Sequence, residues 1–185
     1  MLSNGYILIL IWVGIVGILS VLLDGLVYRV EVVNGKRVRR VKPMFAVLSI
    51  LPLVIWAGFR ENVGDTYAYI RGFQEMPSSL SGIGTYMSSI TKDYGFYFVS
   101  ALIKCVVGNR DTVYLIIIAA VQCYLLFRIY RKYSPAYVIS FFLFIVSTDY
   151  ISWIFNGVRQ FVAVTITMIC FPWIIEKKYI RAVVV

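Results

Sequence analysis

The sequence predicts an all-α polytopic membrane protein, with about five spanning helices and short surface or re-entrant helices in one external loop. Three observations lead there. Of the 185 residues, 61% are apolar and 15% charged, whereas soluble domains average about 45–50% and about 25%; folded in water, this chain would lack the polar side chains to cover its surface. The apolar residues collect into runs of the roughly 20 residues that a helix needs to cross a hydrocarbon core. The basic residues gather between those runs, which marks them as topology signals. A soluble enzyme, a disordered tail and a secreted disulfide scaffold are thereby excluded. The net charge of +9 reads as membrane orientation, and no nucleic-acid partner is expected. The chain has no histidine, so the commonest catalytic base and metal ligand is missing, and neither a metal nor a cofactor is expected. Cys105, Cys123 and Cys170 lie in apolar runs without zinc spacing or a disulfide pattern, and should pack as small apolar residues.

The first apolar run, residues 6–28, is interrupted once, by Asp24. It is too long for a signal-peptide core, no basic residue precedes it and it lacks a small-residue cleavage site, so it reads as a retained helix. Residues 41–59 form the second, with Pro52 inside as a kink. Residues 94–107 are short for a crossing and include Lys104, and read as interfacial or re-entrant. Residues 112–130, 135–155 and 157–175 have the length for three more spans.

Charge sets the orientation. The loop 29–42 holds Arg29, Lys36, Arg37, Arg39, Arg40 and Lys42 against Glu31, which places it in the cytoplasm and the N-terminus outside. If 94–107 does not cross, the clusters Arg128/Arg131/Lys132 and Lys177/Lys178/Arg181 join it there, and 12 of the 18 basic residues share one side. A crossing would send both clusters outside. Residues 1–185 therefore read as one transmembrane domain, with 60–111 as its external region. In that region Tyr69, Gly72, Phe73 and Met76 share a helical face that begins near Asp65. Pro77-Ser78-Ser79 ends it, and Tyr86 with Ile90 marks a second short helix. Residues 177–181 read as a cytoplasmic loop and 182–185 as the first turn of another membrane helix, so the domain is expected to be incomplete at its C-terminus.

Three polar clusters then fall on the external side: Arg60-Glu61-Asn62-Val63-Gly64-Asp65-Thr66-Tyr67, Asp93-Tyr94-Gly95-Phe96 and Asn156-Gly157-Val158-Arg159-Gln160. Each has an ordinary reading. Arg60 at a helix end can snorkel, Asp65 can be an N-cap, and Asp93 a solvated loop charge. Arg159 resists that treatment. Gln160 beside it adds polarity, and a charge at membrane depth is costly, about 2.5–3.5 kcal/mol for Arg at a helix centre. Asp24 and Asp149 sit near the interfaces and read as structural. Lys104 either snorkels or reaches a polar cavity. The 14 tyrosines and 12 phenylalanines suit an interfacial belt, though sugar rings also stack on aromatic faces.

In their order, these stretches resemble the EpsG family of exopolysaccharide-biosynthesis membrane proteins, relatives of Wzy-type O-antigen polymerases. The likeness is carried by Phe59-Arg60 with Val63-Gly64-Asp65-Thr66-Tyr67, by Asp93-Tyr94-Gly95-Phe96, by Lys132-Tyr133-Ser134, and by Asn156-Gly157-Val158-Arg159-Gln160 followed by Ala163. It spans nearly the whole chain, and family members are typically longer. The resemblance implies a multi-pass protein of the bacterial inner membrane, N-terminus external. Its activity would be that of a glycosyltransferase-type polymerase for exopolysaccharide or capsule, joining undecaprenyl-diphosphate-linked glycan repeat units at the external face. Membrane lipids and other polysaccharide-assembly proteins are the further partners implied. On this reading Asp65, or else Asp93, is the base for the acceptor hydroxyl, since a chain without histidine relies on carboxylates. Arg60 and Arg159 would hold the diphosphate, whose oxygens match the planar guanidinium fork, and Thr66, Tyr67, Asn156 and Gln160 would complete the substrate-binding set. There is no nucleotide-binding glycine loop, in keeping with a lipid-linked donor. Two other classes share the hydropathy: a non-catalytic membrane subunit of a polysaccharide export machine, and a transporter, which would line a midplane path with polar residues between broken helices.

Overall fold

A computed structural model describes residues 2–33, 35–60 and 63–183; Glu61 and Asn62 of the first polar cluster, and Val184 and Val185 of the expected further helix, lie outside the described residues. Helix α1 (Leu2–Leu22) is the first long apolar helix. It stops before the hydropathy run does, and α2 (Asp24–Val27) is a single turn. The expected loop over 29–42 is instead an antiparallel hairpin of β1 (Tyr28–Val33) and β2 (Lys36–Val41), in register Arg29↔Arg40 and Glu31↔Val38. Val30, Val32, Val33, Val38 and Val41 are β-branched and favour extended backbone, and Gly35 takes the left-handed conformation (φ +74°) that tight hairpin turns require. Arg29 and Arg40 face each other across the strands, and Glu31 offsets both, at 2.5 and 3.5 Å. Asp24 pairs with Arg39, a structural role.

Helix α3 (Pro43–Gly58) opens on proline, where no amide partner is needed, and keeps Pro52 inside. Three short helices follow: α4 (Thr66–Glu75), α5 (Leu80–Ser89) and α6 (Tyr94–Val107). Helix α7 (Asp111–Tyr133) is long and continuous. The single helix expected over 135–155 is broken. Helix α8 (Tyr137–Val146) is followed, after a 70° bend, by α9 (Asp149–Ile151) and the π-helical turn Ser152–Asn156. Two local features account for the bend. Thr148 sits at φ +67°, a conformation unfavourable for a β-branched residue, and the Ser147 hydroxyl donates to Asp149 at 2.7 Å, a local bond that competes with helix continuation. Helices α10 (Val158–Ile169) and α11 (Phe171–Ile175) complete the last apolar stretch, and α12 (Tyr179–Val183) begins inside the expected loop 177–181 and runs on into 182–183, where the first turn of a further helix was expected.

These elements make an all-α polytopic membrane protein, the hairpin apart. Among the described residues three stretches are long and apolar enough to cross a membrane, or four if the bent pair counts as one. In the place of the remaining expected span stands α3, a shorter apolar helix of 16 residues. Leu8, Ile18, Val21, Met44 and Leu51 are exposed on α1 and α3, a surface suited to lipid.

The helices pack in two layers. In the larger, Leu53, Phe127, Phe141, Ile145 and Tyr150 are buried between α3, α7, α8 and α9. Side chains bond to the backbone of neighbouring helices: Tyr6 donates to the Ile145 carbonyl at 2.7 Å, Trp12 to Ser49 at 2.8 Å and Tyr150 to Leu53 at 2.6 Å. The smaller layer is a cap of α4, α5 and α6 around the first turns of α7. There Phe73 stacks on Tyr114 at 4.1 Å, the Tyr114 and Ser100 hydroxyls share a hydrogen bond of 3.2 Å, and Gln74 donates to Asp111 at 2.7 Å. Lys104 is fully buried in this cap and does not snorkel. Its ammonium lies 4.5 Å over the Phe73 ring and donates to the Asn109 side chain and the Gln74 carbonyl. Just below the cap α3 meets α7 so closely that Gly58 has no room for a Cβ against Ile116. At the other end of α7, Arg131 Nε donates to the Val41 carbonyl at 2.6 Å and Tyr133 meets Phe171 edge-on at 5.2 Å. The hairpin, the basic last turns of α7 and the start of α11 thus gather at one end of the bundle. Cys123 and Cys170 are buried, Cys105 partly so, and all three are free thiols.

Candidate functional site: a cleft headed by Arg159

The first amides of any helix lack partners within it, and Gly157, the N-cap of α10, has no side chain to offer them. Tyr69 of α4 supplies one. Its hydroxyl accepts from the Arg159 backbone N–H at 3.4 Å and donates to the Asn156 carbonyl, also at 3.4 Å. From α7, the fully buried Gln122 amide donates to the Val158 carbonyl at 2.9 Å. The start of α10 is therefore pinned from both layers.

Arg159 reaches across to α6. Its Nη1 donates to Asp93 Oδ2 at 2.6 Å and to the Tyr97 hydroxyl at 3.3 Å. Asp93 occupies the N-cap position of α6 but caps nothing, because its backbone is left-handed (φ 56°, ψ 35°). Aspartate tolerates that conformation better than most residues, and its carboxylate is committed to Arg159 instead. The two side chains are 25% and 44% exposed. Such a pair contributes about 0–1 kcal/mol to stability, so Arg159 can exchange Asp93 for another anion at small cost.

Beside this pair α6, α7 and α10 part to leave a cleft of about 420 Å³. Asp93 and Arg159 form its polar end, and Val99, Ile103, Ile117, Val121, Val162 and Ile166 its walls. A guanidinium above an apolar groove matches an amphiphile with an anionic head.

Of the sequence candidates, Asp93, Asn156 and Arg159 come together here, joined by Tyr69 and Tyr97. Neither tyrosine was singled out for the site, although Tyr97 stands one helical turn after Asp93, on its face. Arg60 does not line the cleft. It is only 9% exposed, Nη1 donates to the Ile154 carbonyl, and the guanidinium rests 4.9 Å over the Phe155 ring. Its Nε is buried without a partner among the described residues, and burial draws its pKa down to about 10. Arg60 clamps the π-helical turn that leads into α10. Asp65 holds the N-cap position of α4, makes no cap hydrogen bond and is exposed, one turn before Tyr69. Beside it Gly64 (φ +57°) lies so close to the Asn156 side chain that a Cβ would overlap it. Thr66 is fully buried with its hydroxyl 2.5 Å from the Val63 carbonyl, whereas Tyr67 and Gln160 are exposed. Among the described residues no group of side chains could hold a metal ion.

Residues 44–185 match the sequence model of the EpsG family. The chain belongs to the EpsG family. Membership points to a membrane protein of polysaccharide biosynthesis. The match runs from α3 to the last residue, so the EpsG region takes in the cap, the Arg159 cleft and the broken span, while α1 and the hairpin precede it. No curated protein and no solved structure matches the chain.

Proposed function

We propose that this EpsG-family chain carries the donor site of a polysaccharide polymerase, which joins undecaprenyl-diphosphate-linked repeat units at the external face of the bacterial inner membrane. The observation that carries this reading is the cleft itself, a guanidinium head at the start of α10 above an apolar groove between α6, α7 and α10. The diphosphate takes the place of Asp93 on Arg159, and the lipid enters along the groove. The acceptor hydroxyl attacks the anomeric carbon and gives its proton to a carboxylate; the bond from that carbon to the diphosphate oxygen breaks, and the diphosphate leaves on Arg159 with the electron pair. Asp65 is the proposed base, since its carboxylate caps nothing, while Asp93 orients Arg159 between turnovers. The orientation rests on charge: α10 starts beside Gln122 in the middle of α7, and the stretch it begins reaches the basic last turn of α7 and the hairpin at its other end, where Phe171 meets Tyr133, so the positive-inside rule favours an external cleft and an external N-terminus.

The test is Arg159→Lys in the complete protein in its native membrane. Lysine keeps the cation but loses the bidentate fork. Polymer output should fall by about 30- to 1000-fold, the equivalent of about 2–4 kcal/mol of transition-state stabilisation, at unchanged protein level in the membrane. Asp65→Asn should do comparable damage, whereas a residue that only begins a helix tolerates asparagine. Normal polymer length from both variants would overturn the catalytic reading and leave a non-catalytic subunit.

A further inference from the structure

A second cleft, of about 240 Å³, opens between α3 and α7 at the hairpin end of the bundle. Val47, Ile50 and Tyr124 line its apolar part, and Arg128 and Arg131 its basic end. Val47 is 48% and Tyr124 51% exposed, so the apolar part opens sideways onto the surface that lipid covers. Arg131 is held in place by its bond to the Val41 carbonyl. Its Nη2 lies 3.6 Å from Glu31 and has no hydrogen bond among the described residues. Arg128, nearly one turn earlier on the same face, is exposed and makes no ion pair among the described residues. Glu31 is shared by Arg29, Arg40 and Arg131, which leaves this corner with unbalanced positive charge. Pro43 places the uncapped N-terminus of α3 at the same cleft, adding the positive end of a helix dipole.

We propose that this cleft binds one anionic phospholipid from the leaflet on the hairpin side. Its phosphate sits between Arg128 and Arg131, and an acyl chain lies along Val47, Ile50 and Tyr124. Charge complementarity selects an anionic over a zwitterionic headgroup, as in other basic pockets between membrane helices. The sideways opening selects a lipid over a soluble phosphate. On α7 its lining begins at Tyr124, the turn after the last α7 residue of the Arg159 cleft, Val121, and the two clefts share no residue, so it stands or falls independently of the polymerase reading. A bound lipid there joins the hairpin to α3 and α7.

Native mass spectrometry of the purified full chain, offered phosphatidylglycerol and phosphatidylcholine in equal amounts, tests this. Phosphatidylglycerol should be retained about tenfold more than phosphatidylcholine, the scale of one charge-assisted hydrogen bond. Arg128→Gln and Val47→Trp should each reduce its retention to the phosphatidylcholine level. Both positions are exposed, so the unfolding midpoint in lipid-free detergent should stay at the parent value. Millimolar inorganic phosphate should displace none of the lipid. Equal retention of the two lipids, undiminished retention in both variants, or displacement by phosphate alone would each overturn the proposal.

Discussion

Arg60 separates two explanations of one charge, and its truncation can be worked through. In Arg60→Ala the Ile154 carbonyl loses its donor, at about 1–3 kcal/mol for a buried group. The contact with the Phe155 ring goes too, at about 0.5–2 kcal/mol. Two buried methylenes, Cγ and Cδ, vanish at about 0.8 kcal/mol each. Against this, a cation whose pKa has fallen from 12.5 to about 10 through burial returns about 3 kcal/mol when removed. The expected net loss is about 2 kcal/mol at the middle of these ranges, seen as a drop of several degrees in the unfolding midpoint in detergent. Arg60→Met keeps most of the stem and still relieves the buried charge, so it should unfold within about 1 kcal/mol of the parent. On the proposed function, polymer output should fall in both, because the π-helical turn that leads to Arg159 has lost its clamp. A parent-like midpoint for Arg60→Ala together with lost polymer would refute this reasoning and put Arg60 on the substrate.

Two further outcomes are expected. Gly64→Ala forces a left-handed alanine against Asn156 and should lower stability by at least about 1–2 kcal/mol, measured as a reduced unfolding midpoint; an unchanged midpoint would mean that the α4 start is not pressed against the π-helical turn. In a background lacking the native cysteines, Ser81→Cys should react with a membrane-impermeant maleimide added to intact cells and Ser134→Cys should not, and the reverse pattern would invert the proposed orientation.

What could be read from the sequence divides along physical lines. Long apolar runs specify helices through burial alone, and α1, α7 and the last stretch were legible for that reason. Arg159 was legible because a charge in an apolar run has few cheap explanations. The hairpin was also written there, in alternating valines around Asn34-Gly35, but the same residues carry the basic cluster, and the clustered charge masks the alternation. The break at Thr148 has neither proline nor glycine to announce it; it depends on a strained residue that surrounding packing must hold. Arg60 carries two sequence readings, a helix-end cation free to reach water and a partner for the diphosphate, and only the fold reveals the Ile154 carbonyl that draws it inward. Tyr69 and Tyr97 belong to different helices from Arg159, so their convergence is a property of tertiary packing that no local pattern encodes.

Helix α7 is shared between the cap and the bundle, with Asp111 and Tyr114 in one and Ile116, Gln122 and Phe127 in the other. Its consequence concerns exchange of parts between relatives. A cap lifted from another family member as residues 60–110 would arrive without the wall it packs against, since Phe73 and Gln74 are fitted to side chains on the first turn of α7. The natural unit of transplantation therefore extends into α7 past Ile118, because Leu115 and Ile118 pack with Phe73 and Ala101 of the cap while Ile116 and Ala119 face the bundle. Chimeras joined at the apparent loop before Asp111 break the cap, and a junction between Tyr114 and Ile118 divides residues that serve the two interfaces in turn.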